Sequence, residues 1–341
     1  MERIVLGRTG LEAYRLGFGG IPIQRVSEDQ AVETVLHAIR RGVDFLDTSR
    51  AYTTSERRIG LALKQTDKKV VLASKSHSKT SEAVRADLET SLKELQREYI
   101  DLYQCHFVKD IEEYQKVTSS GGALKALRKA KQEGLIGHIG ITSHSLDVLD
   151  HALDGELFDT IMVCFSFLEP LAREKVIPKA LAKNIGVIAM KPFSGGFIEN
   201  ARAALKYALS QPGILVLGGV EHQDLFDQNW KVFEEGRPLS GPEKKEIEET
   251  QKRYDKVFCR RCDYCQPCTE EIPIQMVLGI RSMVKRMGKG ILLKGRHREA
   301  IDKARNCSLC ELCTGRCPYQ LPIPELIKEN LCWVDEQLKP T

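Results

Sequence analysis

Eight short apolar runs with helical stretches between them occupy the first 235 residues, and this alternation restricts the chain to folds built on a largely parallel sheet. The runs are Arg15 to Gly19, Asp44 to Asp47, Lys69 to Ser74, Ile100 to Cys105, Gly137 to Thr142, Thr160 to Phe165, Gly186 to Met190 and Ile214 to Gly219. Between them, Glu28 to Arg41 follows Ser27 as an N-cap, and Ser81 to Leu95 sets Val84, Leu88, Leu92 and Leu95 at helical spacing. Further helices are expected at Gly122 to Gln132, Ala172 to Lys183, Ala201 to Ser210 and Gln223 to Phe233. A closed (β/α)8 barrel and an open doubly wound sheet both satisfy this pattern, and periodicity does not separate them.

A chain of 341 residues with 42% hydrophobic residues exceeds one ordinary domain, so a large domain with a small appendage is expected. The net charge of +4 arises from 51 basic and 47 acidic residues scattered along the chain, which argues against a nucleic-acid partner. Met1 to Leu11 alternates charged and apolar residues, so neither a signal peptide nor a membrane helix is expected and the chain reads as cytoplasmic.

Cysteine placement supplies the boundary. Only Cys105 and Cys164 precede residue 259, and the other nine of the 11 crowd between Cys259 and Cys332. Without a secretory signal, such crowding points to metal ligation over a disulfide framework. The expected organisation is a barrel over 1–235, a charged connector over 236–258 opened by Pro238 and Pro242 with a surface helix at Glu243 to Tyr254, and a cysteine-rich domain over 259–341.

The polar residues at the strand ends suggest chemistry, because in a (β/α)8 barrel the loops after the strands converge on one mouth. Asp47 closes the second run with Tyr52 in the loop beyond, Lys75 closes the third, and His106 follows the fourth. Each alone has a plain structural explanation, as a helix cap, a solvated lysine or a satisfied histidine. Together they make an acid site: an ammonium beside a Tyr hydroxyl is expected to lower its pKa from about 10, a carboxylate would hold that ammonium, and a neutral imidazole could bond a carbonyl oxygen.

Phe45-Leu46-Asp47-Thr48-Ser49-Arg50-Ala51-Tyr52, followed by Ser55-Glu56 and Ile59-Gly60, resembles the Asp and Tyr signature of the aldo/keto reductases, and Lys75 and His106 fall at that family's expected strand ends. Leu6-Gly7-Arg8-Thr9-Gly10-Leu11 with Leu16-Gly17-Phe18-Gly19 is similar to the hairpin that plugs the bottom of such barrels. The resemblance covers about the first two-thirds of the chain. It implies a (β/α)8 barrel with Tyr52 as general acid, Asp47 and Lys75 tuning it, His106 positioning a small carbonyl or alcohol substrate, and hydride arriving from NAD(P)H.

The family binds its nicotinamide without a Gly-rich Rossmann turn, so the lack of a G-x-G-x-x-G run is no objection. Thr142 and Ser143 stand where the family has a Ser-Asn pair on the carboxamide, Lys191 is placed like residues near the pyrophosphate, and Gln228-Asn229 resembles the adenine-contacting pair. The chain departs from the pattern at Met190, where an aromatic ring stacks on the nicotinamide, at Met162 in place of a Gln, and at Thr53 in place of a Gly. Gly219 and Leu225 replace the Lys and Arg that many relatives set on the ribose phosphate, which leaves the choice between NADH and NADPH open.

Beyond the connector come Cys259-x-x-Cys262-x-x-Cys265-x-x-Cys268 and Cys307-x-x-Cys310-x-x-Cys313-x-x-x-Cys317-Pro318, the second a bacterial ferredoxin pattern. Three thiolates at successive steps of three wrap the corners of a cubane, and a remote cysteine supplies the fourth ligand, whereas zinc sites usually pair two knuckles across a gap. The expected assignment is two 4Fe-4S clusters, one on Cys259, Cys262, Cys265 and Cys317 and the other on Cys307, Cys310, Cys313 and Cys268. The irregular end of the first run, Cys268-Thr269, keeps a single cluster open. Met276, Ile280, Met283, Val284 and Met287 read as a packing stripe, and Cys332 as a buried thiol. The domain resembles helical ferredoxins joined to aldo/keto reductase barrels.

A nicotinamide delivers two electrons together and an iron–sulfur cluster exchanges one, and no flavin motif bridges them in this sequence. Three readings follow: a carbonyl reductase whose clusters serve folding or docking, an enzyme whose clusters exchange electrons with a protein partner, and an electron-transfer or assembly module whose barrel no longer reduces carbonyls.

Overall fold

Why the apolar runs close on themselves is visible in their pairing. A computed structural model describes residues 1–339, apart from the side chain of Arg286. Its strands, in chain order, are a hairpin of β1 (Arg3–Val5) and β2 (Glu12–Tyr14), then β3 (Leu16–Gly19), β4 (Phe45–Asp47), β5 (Val71–Ser76), β6 (Ile100–Cys105), β7 (Ile136–Ser143), β8 (Thr160–Cys164), β9 (Gly186–Met190) and β10 (Ile214–Gly219). Strands β3 to β10 form a closed barrel in which every neighbouring pair is parallel and β10 returns to pair with β3. Alternation along each strand serves both faces: Leu215 and Leu217 of β10 and Ile188 of β9 enter the barrel interior, while Ile214, Val216 and Val187 pack outward under the helices.

The hairpin closes the end opposite the active mouth. Leu6 and Ala13 join the interior cluster with Phe45, Ala73, Leu102 and Met162. Gly7 makes that fit, because at φ +54° a Cβ there would stand 2.3 Å from the Gly186 nitrogen. Helix starts follow local chemistry: Ser27, Thr80, Asp110, Ser145 and Asn200 each accept from a backbone N–H of the first turn.

Several bounds differ from the sequence reading. The helix expected over Ala172 to Lys183 is two, Ala172–Lys175 and Ile177–Ala182, because Pro178 lacks the N–H a continuous helix needs and sits in the first turn of the second. Helices Ser55–Leu63, Ile111–Thr118 and Leu146–Gly155, each of ten residues or fewer, were not anticipated. Within the expected connector, helix Gly241–Tyr254 is tied by Glu243 to Lys206 at 2.8 Å on the preceding barrel helix Ala201–Leu209.

The chain divides into two compact units, one of Met1–Ser194 with Ile198–Lys244 and one of Gly195–Phe197 with the residues from Lys245 onward. The second unit holds only helices among its described regular elements, including Ile274–Leu278, Ile280–Met287, Arg296–Ala304, Leu312–Arg316 and Ile323–Gln337. Its core is small: Ile272, Ile274, Val277, Ala300, Leu321, Ile323 and Ile327, with Ile280, Leu292, Ile301 and Val334 in a second cluster. Ile280 and Val284 pack as expected, but Met287, next to the Gly288 cap that ends its helix, is 58% exposed. Cys332 is also exposed: its helix buries Ile323, Leu326, Ile327, Asn330 and Val334, and position 332 falls on the other side. Among the described residues no helix is long and apolar enough to cross a membrane.

Candidate active site

Asp47 is the last residue of β4 and lies in register with Ala73, so Lys75, two residues further along β5, reaches across to it. The Lys75 Nζ donates to Asp47 Oδ1 at 2.5 Å and to the Thr48 carbonyl at 2.8 Å, and Gln104 Nε2 donates to the other carboxylate oxygen at 3.4 Å. Both charges are out of water, Lys75 at 1% and Asp47 at 3% exposure. Burial raises the Asp47 pKa and lowers that of Lys75, and the pair resists both shifts by mutual attraction. Removing one partner leaves the other charge stranded, so Asp47→Ala is expected to cost roughly 3–5 kcal/mol in chemical denaturation. A loss below about 1 kcal/mol, typical of a surface ion pair, would contradict the buried pairing.

Tyr52 arrives on the loop after β4, held by its N–H to the Ser49 carbonyl at 3.0 Å. The Lys75 Nζ stands 5.1 Å from the centre of its ring, and the His106 ring meets it edge-on with centroids 5.8 Å apart. The expectation that Lys75 lowers the Tyr52 pKa is corrected by this geometry. Burial of the hydroxyl raises it, and the Asp47 carboxylate raises it further, because the ammonium faces the ring and is spent on the carboxylate. Tyr52 is therefore a protonated donor throughout the neutral range.

His106 follows β6, its N–H bonded to the Ser76 carbonyl at 2.8 Å and its own carbonyl accepting from Lys79 Nζ at 3.0 Å. Its pKa lies well below the ordinary value, by burial first and then by repulsion from Lys75, His77, His144 and Lys79, which makes the ring neutral. The Nδ1 is 3.0 Å from the Ser49 hydroxyl.

Next to it, Phe107 adopts φ +51°, a conformation that bulky side chains rarely take. It is held there by its N–H to Thr142 Oγ1 at 2.8 Å and by the Lys79 ammonium at 3.2 Å on its carbonyl. The Phe107 ring packs edge-on against His144, centroids 4.7 Å apart, and the His77 ring lies tilted at 52° to His106 with centroids 4.1 Å apart. Ser49, His77, Phe107 and His144 were not singled out from sequence. The His77-Ser78-Lys79 run after β5 and His144 after Thr142-Ser143 were the available signals.

The candidate cofactor residues sit at the ends of two strands, β7 and β9, and on one helix. Thr142 and Ser143 end β7, both buried. Ser143 commits its proton to the Val108 carbonyl at 2.6 Å, while Thr142 Oγ1 accepts the Phe107 N–H and, among the described residues, finds no acceptor for its own O–H. Met190 ends β9 against the barrel interior, and Lys191 beyond it reaches His144 Nε2 at 2.6 Å. On helix Gln223–Glu235, Asn229 is buried, with its Nδ2 3.8 Å from the Cβ position of Gly218 on β10, and Gln228 is exposed.

In the second unit, a cavity of about 340 Å³ is lined by Cys259, Cys262, Cys265 and Cys317, with Ile274 and Leu321. Another of about 370 Å³ is lined by Cys268, Cys307, Cys310 and Cys313, with Ile272 and Ile327 and with Cys265 at its border. All eight are free thiols, and among the described residues no three or more His, Cys, Asp or Glu side chains close on a single ion.

Comparison with known proteins adds the following. Residues 15–203 match the model of the aldo/keto reductase family. L-galactose dehydrogenase of Arabidopsis thaliana is 33% identical over 217 residues, spanning 58% of this chain and 67% of that protein. The aldo-keto reductase YhdN of Bacillus subtilis is 28% identical, spanning 53% of this chain and 58% of its own length. In structure, a Bacillus halodurans aldo-keto reductase in its holo form matches with a TM-score of 0.62 at 23% identity, covering 73% of this chain and 96% of that one.

Proposed function

The chain belongs to the aldo/keto reductase family of nicotinamide-dependent oxidoreductases, and from that premise we propose that it reduces a small carbonyl compound, or oxidises the corresponding alcohol, with NAD(P)H. The observation that carries this reading is the buried Asp47–Lys75 pair under the Tyr52 ring, with a neutral His106 at the ring's edge. Tyr52 donates the proton to the carbonyl oxygen. Lys75, fixed by Asp47 and Thr48, offsets the buried carboxylate's charge beside the Tyr52 ring, so that less of it opposes the negative charge that develops there. The His106 imidazole positions the same oxygen.

The nicotinamide supplies the hydride when bound. The residues that would hold it are Thr142 and Ser143 at the carboxamide, Met190 against the ring, Lys191 near the pyrophosphate, and Gln228 with Asn229 at the adenine. They fit in chemistry: Thr142 retains a proton to donate, Met190 offers an apolar, partly buried face, and Lys191 brings a cation. The name of the Arabidopsis relative brings L-galactose and similar sugars into the substrate class to screen.

We further infer that the second unit binds two 4Fe-4S clusters, one on Cys259, Cys262, Cys265 and Cys317 and one on Cys268, Cys307, Cys310 and Cys313. What supports this is the spacing of the cysteines in threes together with the two cavities they line, the first with Cys259, Cys262, Cys265 and Cys317 and the second with Cys268, Cys307, Cys310 and Cys313. Such clusters would exchange single electrons with a protein partner. The test is anaerobic purification of the full chain and assay of a panel of aldehydes, ketones and aldoses with NADH and NADPH. Substrate-dependent nicotinamide turnover is expected, and tight nicotinamide binding with no turnover across the panel would overturn the carbonyl reading in favour of an electron-transfer module.

A further inference from the structure

We propose that Ser49 is a positioning residue whose hydroxyl selects the His106 tautomer that meets the substrate, an inference that rests on the carbonyl-reductase reading. Ser49 lies in the loop after β4, is 1% exposed, and has three polar neighbours. Its oxygen accepts the Ala51 N–H at 3.1 Å, the Lys75 carbonyl lies 3.0 Å away, and His106 Nδ1 lies 3.0 Å away.

A hydroxyl has one proton, so it serves either the carbonyl or the imidazole. Donated to Lys75, it leaves Ser49 to accept from Nδ1–H, and Nε2 is then a bare acceptor. Turned to Nδ1, it leaves the proton of the neutral ring on Nε2. The Lys75 carbonyl tolerates this turn because it also accepts the Arg50 N–H at 3.0 Å. Neither state strands the Ser49 hydroxyl, the Lys75 carbonyl or His106 Nδ1, so the rotor has two satisfied positions and no net proton enters or leaves the site.

The two positions match the two substrate forms. A carbonyl oxygen only accepts, so it requires Nε2–H and hence Ser49 turned to Nδ1. An alcohol can donate its O–H to a bare Nε2, which is the other position. Because His106 is held neutral by burial and by the surrounding cations, tautomer exchange is the only proton adjustment available to it near neutral pH.

The experiment compares the full-length wild-type chain with Ser49→Ala and Ser49→Thr. The imidazole nitrogens are read by 15N NMR on histidine-labelled protein, with His106→Asn assigning the signals. In wild type, a bound carbonyl analogue should place the proton on Nε2 and a bound alcohol should shift it toward Nδ1. In Ser49→Ala that response should vanish, with kcat for carbonyl reduction down about tenfold and nicotinamide affinity within about twofold of wild type. Ser49→Thr keeps the hydroxyl and should recover most of both. An unchanged His106 response in Ser49→Ala, or a kcat within twofold of wild type, overturns the assignment. A chain that turns over no carbonyl at all would sink the catalytic reading separately, since the nitrogen shifts of wild type and Ser49→Ala are read without turnover.

Discussion

Tyr52→Phe is expected to lower carbonyl turnover by about 10²- to 10⁴-fold while nicotinamide affinity stays within about twofold. The substitution deletes one oxygen and keeps the ring that faces the Lys75 Nζ at 5.1 Å and His106 at 5.8 Å, so packing survives and only the proton donor goes. The pH profile carries a second signature. Tyr52 is raised above its ordinary value near 10 by burial and by Asp47, so loss of its proton limits wild-type rate only in strongly alkaline solution. His106 is pushed well below its ordinary value, so it contributes no step near neutrality. A plateau from about pH 6.5 to pH 10 is therefore expected for the chemical step. Unchanged turnover in Tyr52→Phe would remove Tyr52 from the mechanism.

That signature shows where sequence reasoning stopped. Asp47, Tyr52, Lys75 and His106 could be picked out because strand ends of a parallel barrel converge, and short apolar runs with helices between mark those ends. The direction of the Tyr52 shift was not legible, since it depends on how deep the hydroxyl lies and on which neighbour claims the ammonium. Ser49, Phe107 and His144 escaped for a related reason: a serine in Asp47-Thr48-Ser49 is unremarkable until its oxygen is seen 3.0 Å from an imidazole, and Phe107 matters through φ +51°. Apolar periodicity likewise misled at Met287, and Cys332, expected as a buried thiol, is exposed; which helix face is covered is decided by chain far away in sequence. The strands were legible to within about two residues at their ends, because they are buried on both faces and write near-continuous apolar runs, whereas their closure into a barrel came from the family resemblance.

The cysteine-rich unit gives the other large expected effect. Cys317→Ser should remove about half of the iron and acid-labile sulfide, Cys310→Ser should remove the other half, and the double variant should hold neither. The reasoning is spatial: Cys317 lines the cavity with Cys259, Cys262 and Cys265, and Cys310 lines the one with Cys268, Cys307 and Cys313. Each cavity also borders the small core, Ile274 and Leu321 at the first and Ile272 and Ile327 at the second. Losing either cluster removes a cross-link between loops that surround a small core, so each single variant should melt the second unit at lower temperature, and a chelator should do the same. The barrel keeps its own core, so nicotinamide binding should persist in all three variants. Full loss of iron from one single variant would mean one cluster, and stoichiometric zinc without sulfide would mean none. If two clusters are found and nicotinamide fails to reduce them, the barrel chemistry and the one-electron centres act on separate substrates. Their reduction on the same sample would require a two-electron to one-electron converter, a flavin or a partner that brings one.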